Sequence, residues 1–170
     1  MYFLDETGFK RGMSQSYGRS MKGERFYIPE TKSKVSNHTL IMAMGLSKTV
    51  APLLFKGAMN TKTFIKWLRE DLLPELKKGD VIVMDNLAAH KSLEVKETIR
   101  QAGMIPVYLP PYCPDMNPIE LLFSKLKRYV RSFYADNFND LLRIIGQGLD
   151  FMKKRDFIGW YNHAGYCVTL

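Results

Sequence analysis

The stretch Leu109-Pro-Pro-Tyr-Cys-Pro-Asp-Met-Asn-Pro-Ile-Glu120 places four prolines directly before a long amphipathic run. Proline fixes φ and has no backbone N–H, so the first two prolines predict the end of a preceding strand. Asn117 is typical of a helix N-cap, followed by Pro118 at the first helical position. Glu120 is therefore predicted to lie in the first turn of a helix.

Glu120 has two interpretations at this position. Asn-x-x-Glu is the pattern of a capping box, in which the Glu120 carboxylate bonds back to the backbone N–H of Asn117. Alternatively, the carboxylate points away from the helix towards a ligand. The stretch alone favours the cap, so the choice depends on which other carboxylates the fold brings near.

Length and composition indicate one basic domain. The 170 residues, 46% of them hydrophobic, are enough for a single domain with its own core. Lys plus Arg number 25 against 17 Asp plus Glu, and the net charge of +8 favours a polyanionic partner such as DNA. The two cysteines, Cys113 and Cys167, form no disulfide or zinc-binding pattern.

The chain carries no membrane signature. No run approaches about eighteen uninterrupted apolar residues, and the N-terminus lacks the basic and apolar regions of a signal peptide. We therefore expect a cytoplasmic protein without membrane contact, associated with the nucleoid if its partner is DNA.

Apolar periodicity predicts an α/β fold. Short apolar runs bounded by turn residues predict five strands, at residues 2–4, 38–46, 50–55, 81–84 and 104–109. Helical spacing predicts four helices, beginning at Asn60, Ser92, Pro118 and about Asn139. The strand, helix and strand between residues 81 and 109 predict a right-handed parallel crossover.

A basic, irregular segment spans residues 10–34. It contains seven basic residues against two acidic ones, with several glycines and a proline interspersed. Such a segment is either a solvated loop or an arm that contacts phosphates, and the sequence leaves both interpretations open.

Three carboxylates stand at the ends of predicted elements: Asp5 and Asp85 each follow an apolar strand, and Glu120 opens a helix. In open α/β sheets, sites form at the carboxyl ends of strands, so we expect all three at one edge. Carboxylates so near to one another repel unless cations neutralise them. Mg²⁺ binds one or two carboxylates together with water and substrate phosphate. The pattern predicts, in outline, a two-metal phosphoryl-transfer site with ions about 3.5 to 4 Å apart.

Two neighbouring carboxylates compete for these roles. Side chains alternate along a strand, so only one of Asp5 and Glu6 can face the site. Asp115 is an alternative to Glu120, but its position among the prolines favours a turn.

Three blocks of the sequence, residues 4–9, 83–90 and 114–120, resemble in order the signature blocks of mariner-type bacterial insertion-sequence transposases. Between Asp85 and Glu120 lie 34 residues, the spacing characteristic of the Asp-Asp-Glu (DDE) catalytic domain in that group. The closing residues 163–166 resemble the C-terminal tail of the group.

The resemblance implies an RNase H-like mixed five-stranded sheet flanked by helices. It also implies DNA cleavage at transposon ends that depends on Mg²⁺ or Mn²⁺, with two ions, and transfer of the freed 3′ hydroxyl into target DNA by a homodimer. Asp5, Asp85 and Glu120 carry over as the metal-binding catalytic triad, and the motif position selects Asp5 over Glu6. The helix-turn-helix region that recognises transposon ends in the family is absent here, so we expect a single catalytic domain over residues 1–170.

Asn86 and His90, which follow Asp85 in the sequence, are predicted to orient its side chain. A lone histidine such as His90 is more often a hydrogen-bonding neighbour than a ligand, and Asn86 is a plausible orienting residue.

The predicted helix from Pro118 carries a polar stripe. Its residues Glu120, Ser124, Lys127 and Arg131 recur at helical spacing opposite the apolar face. The stripe is either a solvated face or a phosphate-binding one, in which Lys127 and Arg131, with Lys125 and Arg128, hold DNA leading into the site.

Three aromatic residues are further candidates for DNA contact. We expect Trp67 in the core, whereas Trp160 and Tyr161 are equally compatible with core packing and with stacking on bases.

Two other functions stay open from the sequence. The chain is alternatively a catalytically inactive transposase remnant that only binds DNA or a partner transposase. A carboxylate nuclease of the same fold that cuts RNA in hybrids is a third option.

Overall fold

Five strands form one mixed sheet in the computed structural model of the chain, which describes residues 1–10, 13, 21–23, 37–111 and 113–168. In chain order they are β1 (Tyr2–Lys10), β2 (Asn37–Met44), β3 (Thr49–Lys56), β4 (Val81–Met84) and β5 (Ile105–Tyr108). The order across the sheet is β3-β2-β1-β4-β5, with β1 in the centre. The predicted mixed five-stranded sheet is confirmed, whereas most of the basic segment 10–34 lies outside the described residues.

The helices are α1 (Thr61–Trp67), α2 (Leu93–Gln101), α3 (Ile119–Arg131), α4 (Phe138–Asp150) and α5 (Lys154–His163). After α1 the chain continues through a π-helical turn and then a 3-10 turn that contains Pro74. Helix α5 was not predicted, because no glycine or proline separates it from α4. Its start is set by Asp156, whose carboxylate accepts a hydrogen bond from the backbone N–H of Lys153 (2.8 Å).

Strand β1 is longer than the sequence suggests, and this corrects one prediction. Antiparallel pairing with β2 continues from Phe3 to Lys10, so Asp5 lies within β1 and not at its carboxyl end. Parallel pairing with β4 is confined to Tyr2 and Phe3. Because β4 ends just before Asp85, continuing the same register sets Asp5 beside Asp85.

The two faces of the sheet carry separate cores. Phe3 and Phe9 pack with α3, α4 and α5 on one face, whereas Leu4 packs with α1 and α2 on the other. Asp5 lies between Phe3 and Phe9 on the α3 side because side chains alternate along β1. Trp67 is buried in the second core and donates to the carbonyl of Ala51 (2.9 Å), so its predicted core role is confirmed.

The C-terminal segment packs on the edge of the first core. The Tyr161 hydroxyl is buried within hydrogen-bond distance of the carbonyls of Met1 (3.1 Å) and Met44 (3.0 Å). Tyr161 is therefore a core residue and is not available to stack on bases. The Tyr166 hydroxyl donates to the carbonyl of Met116 (3.0 Å), which ties the tail to the loop before α3. Among the described residues, no helix is both long and apolar enough to span a membrane.

Two glycines of α4 provide a matched test of how α3 is held. A Cβ at Gly148 would lie 2.6 Å from Leu126 and 2.9 Å from Tyr129 of α3, whereas a Cβ at Gly146 would meet nothing within 4 Å. Gly146→Ala should stabilise the chain by up to about 1 kcal/mol through helix propensity. Gly148→Ala should destabilise it by roughly 1 to 3 kcal/mol through overpacking, measured by urea unfolding. Equal stability of the two variants would contradict this account of the contact.

Candidate active site

Asp85 follows β4 directly, as predicted, and its carboxylate accepts two hydrogen bonds. Its Oδ1 accepts hydrogen bonds from the backbone N–H of Leu87 (3.0 Å) and from Nδ1 of His90 (2.7 Å). Burial alone would raise the pKa of Asp85, but these two bonds and the nearby charges of His90 and Lys91 hold the pKa below its ordinary value. Asp85 is therefore an ionised carboxylate of fixed orientation.

His90 is fully buried between two carboxylates. Its Nε2 lies 3.1 Å from Oε2 of Glu6, a contact that is closer to an ion pair than to a well-aligned hydrogen bond. Burial would lower the pKa of His90, but hydrogen bonding to Asp85 and the charge of Glu6 raise the pKa to about 9. The Phe64 ring packs against the His90 ring at a tilt of 33°, with centroids 4.4 Å apart, and the Tyr108 hydroxyl donates to the backbone carbonyl of His90 (2.8 Å). The sequence identified His90 as a neighbour of Asp85 but missed that Glu6 holds the other side of the ring.

Asp5 is the most buried of the three carboxylates, with 6% of the residue exposed. Its Oδ1 accepts from the backbone N–H of Glu6 and its Oδ2 from the side-chain amide of Asn117, each at 2.8 Å. Burial raises the pKa of Asp5 to about 7; the negative charges of Glu120 and Asp85 add to the rise, and the bond from Glu6 opposes it. Part of the raised pKa thus reflects the other two carboxylates.

Glu120 lies in the first turn of α3, as predicted, and its carboxylate does not close a capping box. The backbone N–H of Asn117 donates to the carbonyl of Pro114 (3.0 Å), not to Glu120. The side chain of Asn117 bonds to Asp5, and Pro118 takes the N-cap position without a side-chain cap. The capping interpretation of Asn117 was wrong: its side chain donates to Asp5, and its Oδ1 accepts no bond from the first turn of α3.

The three carboxylates share one open cleft of about 600 Å³. The polar and cysteine side chains that line it are Asp5, Asp85, Asn86, Lys91, Cys113, Asn117 and Glu120. Neither Glu6 nor Asp115 lines this cleft: Glu6 contacts His90, and Asp115 lies in the 3-10 turn Pro114–Met116. The side-chain amide of Asn86 donates to the carbonyl of Leu109, which joins the end of β4 to the start of the proline loop.

The donor set of the cleft suits a hard divalent cation. Its carboxylate oxygens are the ligand type that Mg²⁺ and Mn²⁺ prefer. Among the described residues, however, no three His, Cys, Asp or Glu side chains lie close enough to hold an ion as they stand. Mg²⁺ commonly takes one or two carboxylates and completes its shell with water and substrate phosphate, so the residues fit such an ion.

The four predicted DNA-binding cations occupy different environments. Lys125 pairs with Asp156 (2.7 Å) and lies near the rings of Phe151 and Trp160, so its charge is used within the fold. Lys127 and Arg131 line a second cleft of about 610 Å³ beside the end of β1. Arg128 is exposed on α3.

The pKa shifts predict how stability depends on pH. The pKa of Asp5 is about 7 in the folded chain against an ordinary 3.8, so the folded state retains a proton that the unfolded state has lost. Stability should therefore fall as pH rises between these values, and this loss should be absent in Asp5→Asn. The difference in unfolding free energy between the two should change by at most about 1.4 kcal/mol per pH unit.

His90 extends the effect to higher pH. Its pKa is about 9 in the folded chain against an ordinary 6.5, so its stabilisation is complete below 6.5 and is lost as pH rises to about 9. Both pH windows are tested by urea unfolding of wild type, Asp5→Asn and His90→Gln without divalent metal, from pH 3.8 to about 9. Parallel curves for all three chains would contradict the assignment.

Comparison with known proteins gives the family. A family model described as DDE superfamily endonuclease matches residues 1–142. No curated protein sequence matches the chain.

Solved structures give the fold. The chain resembles Mos1 transposase in its paired-end complex with the left transposon end (TM-score 0.77, 11% identity, 96% of this chain and 51% of that chain). It also resembles the mariner Mos1 paired-end complex with Mg (0.76, 15%, 98% and 54%) and the Mos1 mariner transposase catalytic domain (0.70, 12%, 97% and 77%). The chain thus spans about half the length of the Mos1 chains in the paired-end complexes. Since the family model covers most of the sequence, the chain belongs to the DDE superfamily of endonucleases.

Proposed function

We propose that the chain is the catalytic domain of a mariner-type transposase, which cuts DNA at transposon ends and transfers the freed 3′ hydroxyl into target DNA. The observation that carries this proposal is the meeting of Asp5, Asp85 and Glu120, from three distant segments, at one open cleft. Family membership and the likeness to Mos1 structures support it. Because two ends must be brought together, the acting form is a homodimer, located with the nucleoid in the cytoplasm.

The triad residues Asp5, Asp85 and Glu120 hold Mg²⁺ or Mn²⁺, with two ions as the expected number. When bound, the ions lower the pKa of the attacking water or 3′ hydroxyl and stabilise the leaving oxygen. The relative with Mg in its paired-end complex supports this choice of metal. The raised pKa of Asp5 supports it too, because positive charge would relieve the repulsion from its two neighbours.

The supporting residues act on orientation. His90 donates to Oδ1 of Asp85 and contacts Glu6 on its other side, so neither ring nitrogen is available to take a proton from substrate. The role of His90 is therefore to hold Asp85 in one rotamer. Asn86 bonds to the carbonyl of Leu109 and fixes the distance between Asp85 and the proline loop.

The DNA strand leaves the cleft along α3. Lys127 and Arg131 follow Glu120 by seven and eleven residues, which corresponds to roughly 10 and 16 Å along the helix axis. Strand phosphates repeat at about 3.4 Å along a duplex, so these cations reach phosphates some three to five steps from the site. Lys10 lines the same second cleft and adds a third positive charge.

The triad is tested by metal-dependent nicking of supercoiled plasmid DNA. Asp5→Asn, Asp85→Asn and Glu120→Gln should each reduce the nicking rate by about 100-fold or more, because each removes a ligand charge. Asp115→Asn is the matched control, since it changes an exposed carboxylate of the same loop that lies outside the cleft, and it should retain the wild-type rate. Equal activity in wild type and Asp85→Asn would sink the assignment.

The same assay separates the other two functions. Salt-sensitive DNA binding without metal-dependent nicking, in wild type as in Asp5→Asn, would identify a remnant that only binds DNA. Faster cleavage of RNA in hybrids than of duplex DNA would identify a nuclease of the hybrid-cutting kind.

The second cleft is tested by the salt dependence of DNA binding. Lys127→Ala and Arg131→Ala should each weaken binding and lower the slope of log affinity against log salt by about 1. Lys62→Ala removes an exposed cation from α1 on the other face of the sheet and should leave the slope unchanged. Fluorescence anisotropy over a salt series measures both quantities, and equal slopes for all four chains would exclude this path.

A further inference from the structure

Asn117 makes an unusual choice of hydrogen-bond partner. An asparagine just before a helix normally accepts a bond from a free N–H of the first turn. Asn60 and Asn137 do so in this chain, for α1 and α4 respectively. The amide of Asn117 instead donates to Oδ2 of Asp5, 112 positions away in the sequence.

The geometry of this bond leaves part of Asn117 unsatisfied. The NH₂ group of the amide donates to Oδ2 of Asp5, so Oδ1 of Asn117 faces away from that carboxylate. Asn117 is 5% exposed, and Oδ1 finds no hydrogen-bond partner among the described residues. A buried acceptor without a partner lowers stability. The fold thus retains a residue that a purely structural role does not favour at this position.

The backbone of Asn117 connects the same residue to Glu120. Its N–H donates to the carbonyl of Pro114 (3.0 Å), and its carbonyl accepts from the N–H of Glu120 (3.2 Å). Asn117 is therefore bonded through its side chain to Asp5 and through its main chain to Glu120. A shift of this residue changes the separation of the two carboxylates.

The two carboxylates need such a connection because they repel. Asp5 and Glu120 line the same open cleft, where their like charges face each other. Without the bond from Asn117 to Asp5, this repulsion is opposed mainly by the packing of α3 against the sheet. A cation would then have to hold the two together at the cost of its own binding energy.

We propose that Asn117 is a positioning residue that fixes the distance between Asp5 and Glu120, so that these two carboxylates are held at one cleft before a metal ion binds. The proposal rests on the metal-binding role given to the triad above. It assigns to Asn117 a function in metal affinity that is separate from stabilising α3.

The test measures Mn²⁺ affinity of the whole chain by electron paramagnetic resonance, without DNA. Asn117→Leu removes the donor and the unpaired acceptor while keeping similar volume, and it should weaken Mn²⁺ binding by roughly 10- to 100-fold. Asn117→Ala, which adds no bulk, is measured in parallel in case the leucine is not accommodated. The matched control is Asn137→Ala, which removes the cap of α4 and should lower the melting temperature while leaving Mn²⁺ affinity unchanged.

Three outcomes separate the two proposals. Weaker Mn²⁺ binding in both Asn117 variants, with melting temperatures no lower than that of Asn137→Ala, supports the positioning role. Wild-type affinity in the Asn117 variants, together with lost affinity in Asp5→Asn, overturns the positioning role and leaves the proposed function intact. A wild-type chain that binds no Mn²⁺ overturns both.

Discussion

Three carboxylates that share one cleft repel each other, and burial strengthens the repulsion because less water screens it. Burial raises the pKa of Asp5 most, and the negative charges of Glu120 and Asp85 raise the pKa further. Asp85 is relieved by the protonated ring of His90, which is itself balanced by Glu6 on the far side. The fold therefore places buried polar groups around the cleft that keep like charges near one another.

Backbone pairing and side-chain packing contribute differently to this arrangement. Asp5 and Asp85 are brought together by main-chain register, since β1 pairs in parallel with β4 up to the point where β4 ends. Glu120 depends on packing, because α3 is positioned by its contact with Gly148 of α4 and by the loop that Tyr166 holds at Met116. The positions of Asp5 and Asp85 thus depend on backbone pairing, whereas the position of Glu120 depends on contacts far from the cleft.

The sequence predicted best where a local pattern and the tertiary fold agree. The run Val81–Met84 is bounded by turn residues and a carboxylate, so its limits and the place of Asp85 are confirmed. The three triad residues do reach one cleft; their positions at the ends of predicted elements identified them, and the family resemblance implied the same three. Their metal-binding role remains a prediction that geometry alone does not test.

Predictions failed where a distant partner overrides a local rule. β1 continues past Asp5 because its polar residues find antiparallel partners in β2, which the alternation of β1 alone does not reveal. Asn117 does not cap α3 but donates to the Asp5 carboxylate, more than a hundred residues away, and no neighbouring sequence pattern predicts this hydrogen bond. From the sequence, Glu6 is only an alternative ligand to Asp5. Its contact with His90 could not be predicted, because the placement of a buried histidine between two carboxylates is visible only in three dimensions.

Net charge gives less information about DNA contact than the placement of individual cations. Lys125 belongs to the same basic helix as Lys127 and Arg131, yet Asp156 neutralises it and aromatic rings surround it. Such a lysine contributes to the formal charge of +8 but has little left to offer a phosphate. Lys127 and Arg131 face a cleft that contains no acidic side chain among the described residues, so their positive charges are not neutralised by that part of the lining. The positive charge of α3 is therefore divided, with Lys125 joining α3 to α5 and the other two cations left to attract a polyanion.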